Sequence, residues 1–516
     1  MQIHVLFGTE SNNCADLAEQ TAKALTAAGH PAKAVDMADF SNAALAQLHT
    51  VLIVTSTYGN GDPPGNAEVL HAFVMKKSPP LPATLRFAVC ALGDKTYDRF
   101  CQCGKDFDKR LGELGATRLT GRQDCDVDFD VPWKAWLDRV IFALGAAASP
   151  SVTTVPDPVE APKPAARGTR RNPVLAEVTA VRTLSGAGST KETLHVELSL
   201  AGTDLAYEAG DSLGVYPTND PALVDAILAA APCDGAARVH VSGAAHAGGL
   251  GVGALTLREA LLTRLDLAHV DPRLADATGV ALPEDRHVLD MLEDAQRPLT
   301  PQGLVDALRP LAPRPYSLAS SPRDTPGHAH FTIDVVRWTA RGRARAGVAS
   351  AMFADRAPIG TKVPVYLHAS PHFRLPAADV PVIMVGPGTG VAPFRAFLLE
   401  RAATGARGKN WLFFGARNAA CDFYYGDEFG ALRERGVLTR LDCAFSRDTA
   451  ERVYVQQRMR EQATELRRWV DEGAFVYLCG DAKRMAPDVQ AALIEILSRE
   501  TLDRLSETGR YCKDVY

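Results

Sequence analysis

Arg314, Tyr316 and Ser317 place a guanidinium, a phenol ring and a hydroxyl within four positions of the chain. A guanidinium binds phosphate oxygens through two parallel N–H donors, and alternate residues of a strand lie on one face. We therefore expect a strand on which Arg314 clamps a pyrophosphate, Tyr316 stacks on a planar ring and Ser317 reaches the edge of that ring. Gly347-Val348-Ala349-Ser350 follows, and the N–H groups of a helix start suit the same pyrophosphate.

A second phosphate loop is indicated by Gly386-Pro387-Gly388-Thr389-Gly390, which directly follows the apolar run Val382–Val385. Glycines let the backbone approach a pyrophosphate where a helix begins. A glycine-rich loop by itself is a weak signal. Its interpretation therefore depends on the residues that come later.

A hydroxyl and two cations lie downstream of that loop, at Ser446, Arg447 and Arg452. Together they suit the additional 2′-phosphate that distinguishes NADPH from NADH. The ring of Tyr454 can stack on adenine, and Gln456 belongs to the same segment. We therefore expect an NADPH site and not an NADH site.

Three loops near the N-terminus offer a further phosphate site and two rings. Hydroxyls and backbone N–H groups between residues 8 and 14 suit a phosphate at a helix start. Tyr58 follows the predicted strand Val51–Thr55 and Tyr97 follows the predicted strand Arg86–Ala91, so the two rings can bracket a flat heterocycle. The acidic run 124–128 is equally well interpreted as a solvated loop or as a docking face for a basic partner.

Each of these motifs has a structural explanation when it is taken alone. A capped helix accounts for the loop 8–14, and a surface ring accounts for Tyr58 or Tyr97. An inert buried thiol accounts for Cys479, which ends a late predicted strand. Two rings on adjacent loops beside a phosphate loop make a cofactor site the better interpretation.

The elements that must position these residues alternate strands with helices in the first and last thirds of the chain. In residues 1–145 the apolar runs Ile3–Phe7, Val51–Thr55 and Arg86–Ala91 each end in a loop rich in Gly, Ser, Thr, Asn or Asp. Ligands bind beyond the carboxyl ends of such strands in an open parallel sheet. The same pattern resumes in residues 376–516, with predicted strands at Val382–Val385, Trp411–Phe414 and Phe475–Leu478.

The middle of the chain has a different pattern. Residues 146–172 are rich in Pro and Ala with little core-forming material, which predicts a flexible linker. Strand signals in 173–216 and 311–375 predict one antiparallel module. Between its two parts, residues 217–310 are mainly helical and form a predicted insert.

The composition is that of a globular protein, with 46% hydrophobic and 23% charged residues. A net charge of −5 does not favour nucleic-acid binding. The ten cysteines form no CxxC pair and no metal-ligand spacing with histidine, so we expect reduced thiols, no metal and a cytoplasmic location. We find no signal peptide and no long apolar run, and therefore expect no membrane association.

The N-terminal loops resemble those of the flavodoxin family, which binds flavin mononucleotide (FMN) on a doubly wound parallel sheet. The resemblance implies that Tyr58 and Tyr97 stack on the flavin, although Asn12 stands where relatives usually have Gly. It implies FMN contacts at Thr9, Glu10, Ser11, Asn12, Asn13, Cys14, Ser56, Thr57, Tyr58, Gly59, Leu92, Gly93, Asp94, Tyr97, Phe100, Cys101 and Asp124, the last of them with the ribityl chain.

The R-x-Y-S and later G-x-x-S motifs resemble those of the ferredoxin–NADP reductase family. The resemblance implies an antiparallel β-barrel that binds flavin adenine dinucleotide (FAD), interrupted by the helical insert, and an NADP-binding α/β domain. The implied FAD contacts are Arg314, Tyr316, Ser317, Thr332, Asp334, Trp338, Gly347, Val348, Ala349, Ser350 and Tyr516. The implied NADPH contacts are Gly388, Thr389, Ser446, Arg447, Arg452, Tyr454, Gln456 and Asp488. Ser317, Cys479 and Asp514 are implied to line the hydride-transfer step, and Tyr516, an aromatic ring just after an acid, to cover the flavin.

The order of FMN module, linker, FAD barrel and NADPH module resembles the diflavin reductases. Within them it is most similar to the flavoprotein subunits of assimilatory NADPH–sulfite reductases, on the segments 100–108, 342–347 and 514–516. The resemblance implies that electrons pass from NADPH to FAD to FMN and then to a separate hemoprotein, the siroheme iron–sulfur subunit that reduces sulfite. A stand-alone diflavin reductase for another haem or iron–sulfur acceptor and a non-catalytic flavoprotein scaffold stay open as alternatives, as does self-association.

Overall fold

The computed structural model describes the chain except for residues 1, 10–12, 58–60, 77–80, 83, 96–98, 127–128, 146–166, 171, 242–254 and 283–285. The described residues form two compact units. One lies within 1–164, 369–373 and 480–516, and the other within 165–368 and 374–479. None of the helices in the described part of the chain combines the length and the hydrophobicity that a membrane span requires.

The strands are β1 (Ile3–Gly8), β2 (Ala32–Asp36), β3 (Thr50–Ser56), β4 (Arg86–Leu92), β5 (Thr117–Arg118), β6 (Gln123–Cys125), β7 (Val174–Thr183), β8 (Thr193–Ser199), β9 (Ser212–Val215), β10 (Arg238–Val239), β11 (Leu255–Thr256), β12 (Leu265–Asp266), β13 (Arg309–Pro310), β14 (Arg314–Ser317), β15 (His328–Asp334), β16 (Arg337–Ala340), β17 (Arg343–Ala346), β18 (Lys362–His368), β19 (Val382–Val385), β20 (Asn410–Ala416), β21 (Arg440–Phe445), β22 (Phe475–Gly480) and β23 (Tyr511–Val515).

The helices are α1 (Asn13–Ala27), α2 (Glu68–Lys76), α3 (Gln102–Glu113), α4 (Asp130–Gly145), α5 (Pro221–Ala230), α6 (Leu257–Thr263), α7 (Pro272–Thr278), α8 (Val288–Glu293), α9 (Pro301–Ala307), α10 (Val348–Ala351), α11 (Ala392–Thr404), α12 (Ala419–Asp422), α13 (Gly426–Glu434), α14 (Val455–Glu461), α15 (Ala463–Asp471), α16 (Met485–Leu497) and α17 (Arg499–Glu507).

The first sheet is parallel, in the order β2-β1-β3-β4-β5, with β6 paired to β4. This is the strand order of flavodoxin-like folds. Two apolar clusters pack on the sheet, one containing Leu17 and Leu25 of α1 and the other containing Phe107 of α3. The central strand β3 is buried up to Thr55 because both faces of the sheet are covered.

The second sheet is antiparallel, in the order β14-β9-β18-β7-β8-β15. A bridge between Leu318 and Phe331 joins its two edges, as expected for a barrel. Within the predicted strand region 311–375, the strand signal of residues 331–336 corresponds to β15, which instead begins at His328 and ends at Asp334. His328 and His330 alternate with the inward-facing Ala329 and Phe331, so the strand periodicity extends through polar residues that the apolar pattern did not include.

The predicted helical insert contains α5 to α9 and the short pairs β10–β11 and β12–β13. Its helices begin at local caps, as at α5, where the Asp220 side chain accepts a hydrogen bond from Ala222 N and Pro221 opens the first turn. Leu257, Leu261 and other apolar side chains form its own core. The insert is therefore packed as a separate layer of helices.

The third sheet places β21, β20, β19 and β22 side by side in parallel. Every residue of β19 is buried, as predicted for a strand covered on both faces. Trp411 of β20 stacks on Phe413 and packs against Trp469 of α15. The strands predicted from apolar runs in this region are confirmed, with β20 and β22 extending beyond them.

A polar cluster lies where β8 and β15 meet the residues before α13. His195 Nδ1 lies 2.9 Å from the Tyr425 hydroxyl and its Nε2 lies 3.1 Å from Glu197 Oε1. Ligand atoms of His195, Glu197 and His330 all lie within 4.8 Å of one another, a grouping that the sequence analysis missed. The guanidinium of Arg395 stacks on the ring of Tyr425, and its positive charge would repel a metal ion bound to these ligands. We therefore interpret the cluster as a hydrogen-bond network.

Burial, together with Arg395, lowers the pKa of His195 to about 2 and that of His330 to about 3, below the ordinary value of 6.5. The folded state therefore binds fewer protons than the unfolded state once the pH falls below 6.5. Below pH 6.5, each histidine therefore lowers the free energy of unfolding by about 1.4 kcal/mol for every unit by which the pH falls. We expect chemical denaturation between pH 7 and pH 5 to show a shallower pH dependence for His195→Gln than for the parent protein. Equal slopes for the His195 variant and the parent would contradict this assignment.

Candidate functional site

In the loop after β1, Thr9 is fixed by hydrogen bonds of both its backbone and its side chain. Thr9 N donates to Asn66 Oδ1 at 2.8 Å, and the Thr9 hydroxyl accepts from Cys14 N at 3.4 Å. Asn66 in turn donates to Asp36 Oδ1 at 3.0 Å. Helix α1 begins at Asn13, so its N–H groups face the loop as predicted for a phosphate site. Asn66 was not predicted because a lone Asn in a later loop carries no local signal.

Two further loops meet the same edge of the first sheet. Thr57 N donates to Leu92 O at 3.0 Å, and Gly93 N donates to Cys125 O at 2.9 Å. Cys101 has a left-handed backbone with φ of 56° and opens α3. A Cβ at Gly93 would lie 2.9 Å from Cys101 N, so this turn requires glycine. Ser56 ends β3 next to Thr57, and Asp94 follows Gly93 in the loop after β4.

Several predicted FMN contacts, among them both stacking rings, lie outside the described residues. They are Glu10, Ser11, Asn12, Tyr58, Gly59 and Tyr97, together with residues 127–128 of the acidic run. The neighbouring Phe100 is half-buried and lies under the ammonium groups of Lys95 and Lys105, at 5.8 and 5.5 Å. The prediction that two rings bracket a flavin therefore stays a prediction.

Asp124 follows Gln123 on β6 and is engaged by a neighbouring cation. Arg122 Nε and Nη2 donate to its two carboxylate oxygens at 2.6 and 3.1 Å. Arg122 also donates to Asp108 at 3.2 Å, and the hydrogen bonds to Asp124 raise the pKa of the guanidinium. A ribityl contact by Asp124 stays a prediction, and its carboxylate would have to share its oxygens with Arg122.

The Arg314–Ser317 segment is β14, paired with β9 so that Tyr316 lies opposite Leu213. The Tyr316 ring packs at 5.5 Å from that of Phe331 and at 6.4 Å from that of Phe353, and its burial raises the pKa of the phenol. Within the described part of the chain, the Arg314 guanidinium has no hydrogen-bond or ion-pair partner. Its donors therefore fit a phosphate.

The other predicted FAD contacts on strands already have protein partners. The Thr332 hydroxyl lies 2.7 Å from that of Tyr425. Asp334 accepts a hydrogen bond from Thr193 Oγ1 at 2.8 Å and forms an ion pair with Lys191. Trp338 is more exposed and lies at 5.7 Å from the ring of His287. Thr332 and Asp334 thus hold neighbouring elements together, whatever contact they make with a cofactor.

Gly347 caps α10, as predicted for the second half of the pyrophosphate site. Ser350 Oγ accepts a hydrogen bond from Val336 N at 3.3 Å, and a Cβ at Gly347 would lie only 2.8 Å from that oxygen. Ala349 and Ser350 are buried, and Val348 is half-buried. The serine therefore stabilises the turn, which leaves backbone N–H groups as the donors that suit a phosphate.

The glycine-rich loop after β19 has the shape that a bound dinucleotide needs. A Cβ at Gly386 would lie 2.5 Å from the ring of Phe394 and 2.6 Å from Gly390 O, so that position admits only glycine. Gly388 has φ of +60°, and a Cβ there would meet nothing within 4 Å. Thr389 follows, and α11 begins at Ala392. Open space above a tight loop at a helix start fits a pyrophosphate.

The predicted 2′-phosphate residues lie at the ends of adjacent strands. Ser446 and Arg447 follow β21, and their N–H groups donate to Ala416 O and Arg417 O at 3.0 and 2.8 Å. This pairing adds Arg417, which directly follows β20, as a third cation that was not predicted from the sequence. The G-A-R sequence at the end of a predicted strand was the signal that would have indicated it.

The remaining NADPH residues are accessible. Tyr454 is 42% exposed and precedes α14, which contains Gln456. The guanidinium of Arg452 is exposed and has no partner within the residues that the structure describes. Asp488 is exposed in the first turn of α16.

Two of the four predicted catalytic residues belong to one unit and two to the other. Ser317 ends β14, and Cys479 is buried near the end of β22. Asp514 lies on β23, and Tyr516 follows it with 59% of its surface exposed. Tyr516 N donates to Gly480 O at 3.0 Å, which ties the backbone of that ring to the end of β22.

Comparison with known proteins identifies all three modules. The chain matches a flavodoxin family model over residues 5–136, an FAD-binding domain over 167–275 and an oxidoreductase NAD-binding domain over 384–491. These matches confirm the predicted fold class and the modules for FMN, FAD and NADP. The domain boundaries stay predictions.

Relatives that match the whole chain are named sulfite reductase (NADPH) flavoprotein alpha-component. One from Bacillus subtilis (strain 168) is 41% identical, over 100% of this chain and 89% of its own length. One from Yersinia pestis bv. Antiqua (strain Antiqua) is 39% identical, over 100% and 90%. One from Vibrio vulnificus (strain CMCP6) is 37% identical, over 100% and 87%.

Proposed function

The chain belongs to the family of sulfite reductase (NADPH) flavoprotein alpha-components, and from this premise we propose that it oxidises NADPH and delivers the electrons to a separate sulfite-reducing subunit. The observation that carries the proposal is the succession of three nucleotide-binding modules in one chain that matches those relatives along its whole length. A phosphate loop at a strand end supports each module.

When bound, NADPH supplies a hydride to FAD, and FMN releases electrons singly, which is chemistry of the cofactors themselves. The chain binds and orients them. Arg314 clamps the FAD pyrophosphate, and Ser446, Arg447 and Arg452 hold the 2′-phosphate of NADPH. Ser317 and Cys479 would border the flavin at the site of hydride transfer, and the roles assigned to Asp514 and Tyr516 by the resemblance stay predictions.

A partner subunit follows from membership of an alpha-component family. We propose that this partner is a hemoprotein with siroheme and an iron–sulfur cluster. The sequence has no CxxC pair that would ligate a cluster or attach a haem in this chain, which supports a terminal acceptor elsewhere.

Anaerobic stopped-flow spectroscopy tests the function. We expect NADPH to bleach the absorbance of both flavins, and a second mixing with the siroheme subunit to restore it. Absence of flavin bleaching would favour a non-catalytic scaffold. Restoration by another hemoprotein, but not by the siroheme subunit, would favour a reductase with a different acceptor.

A further inference from the structure

The loop between β7 and β8, residues 184–192, reaches the proposed 2′-phosphate site from the antiparallel sheet. Arg417 Nη1 donates to Thr190 Oγ1 at 2.6 Å and to Thr190 O at 3.2 Å. Arg447 Nη1 donates to the same Oγ1 at 3.4 Å. One hydroxyl oxygen of the FAD-binding module thus contacts two arginines of the NADP-binding module, Arg417 and Arg447.

This loop is anchored independently of Thr190. Gly186 N donates to Cys421 O at 2.6 Å, and the Ser189 hydroxyl donates to Asp422 Oδ1 at 2.5 Å. Lys191 N donates to Ser189 Oγ at 3.0 Å, on the other side of Thr190. Thr190 is itself exposed, but its backbone is held on both sides. Its hydroxyl therefore has a defined position beside the arginines.

Two guanidinium groups that share one site repel each other and, as long side chains, lose rotamer entropy when they are ordered. A fixed acceptor between them offsets part of both costs before the ligand arrives. Each guanidinium has five N–H donors, so the bonds to Thr190 leave most of them available.

We propose that Thr190 is a positioning residue for cofactor selectivity. Its hydroxyl holds Arg417 and Arg447 together, so that their remaining donors converge on the 2′-phosphate of NADPH. This inference rests on the proposed use of NADPH. Part of the preference for NADPH over NADH would then come from a loop of the FAD-binding module, and not from the NADP-binding module itself.

Isothermal titration of the full-length flavin-loaded protein with 2′,5′-ADP and with 5′-AMP tests the proposal. Valine has the shape of threonine without the acceptor. We expect Thr190→Val to raise the Kd of 2′,5′-ADP about 5- to 10-fold, the effect of one hydrogen bond, and to leave the Kd of 5′-AMP unchanged. Thr190→Ser should restore the parent value because it keeps the hydroxyl. Steady-state KM values should rise for NADPH and not for NADH.

Thr183→Val is the matched control, because Thr183 is exposed on the same hairpin and has no described side-chain hydrogen bond. An unchanged Kd of 2′,5′-ADP in Thr190→Val would overturn the proposal. A tighter Kd would also overturn it, since Thr190 would then compete with the phosphate. A parent protein that binds 2′,5′-ADP no better than 5′-AMP would instead contradict the NADPH preference in the proposed function.

Discussion

Replacement of Arg447 by alanine is expected to raise the Kd of NADPH about 10- to 100-fold, because hydrogen bonds to a charged phosphate are lost. The Kd of NADH should change less than about twofold. NADH lacks the 2′-phosphate and therefore has nothing at this position for the guanidinium to bind. Arg447 is exposed, and its one described side-chain contact is the long hydrogen bond to Thr190, so its removal should not affect folding. Fluorescence titration with both nucleotides measures the two constants.

Arg435→Ala is the control for this experiment. Arg435 is exposed at the end of α13 and lies outside the proposed site. Its replacement should leave both dissociation constants unchanged. Equal weakening of NADPH and NADH in Arg447→Ala would reject the assignment of Arg447 to the 2′-phosphate.

The second large effect is expected at Arg314. Arg314→Ala should raise the Kd of FAD about 100-fold, because a bidentate clamp on a pyrophosphate is lost. Arg314→Lys keeps the charge but not the planar fork, so an intermediate increase of about 10-fold is expected. The measurement is the ratio of FAD to FMN that acid extraction releases after dialysis.

FMN is the internal control in that ratio, because its proposed site lies in residues 1–145, away from β14 in the sequence. We expect the ratio to fall well below one in Arg314→Ala while FMN stays at one per chain. A ratio that stays near one would show that the pyrophosphate is held by other groups. Release of a single nucleotide type from the parent protein would contradict the two-flavin assignment altogether.

Much of the site was predictable because its signals are local. A phosphate loop requires small and polar residues directly between a strand and a helix, and Gly386 to Gly390 satisfy this within five positions. The same holds for Gly347 and Ser350, where the cap and the residue that stabilises it are three positions apart. Such motifs can be recognised in one short stretch of sequence, because the backbone conformation of the loop depends on the residues of that same stretch.

The fold class was predictable for a related reason. A strand buried on both faces has to be apolar throughout, as β19 is. Alternation of such runs with helices restricts the sheet to a parallel, doubly wound form. The boundaries of β15 were less predictable. His328 and His330 are polar, so a search for apolar runs does not include them in the strand.

The order of the modules and the nucleotide that each one suits could be read from the chain alone, because these properties depend on residues that are adjacent in it. The distant side chains that support the predicted loops emerge only from the folded protein. Asn66 holds Thr9 from 57 positions away, and Thr190 meets Arg447 across 257 positions. Such contacts arise from strand order and module packing, and no local pattern encodes them, since the partner of a hydrogen bond is selected by the fold that brings it near.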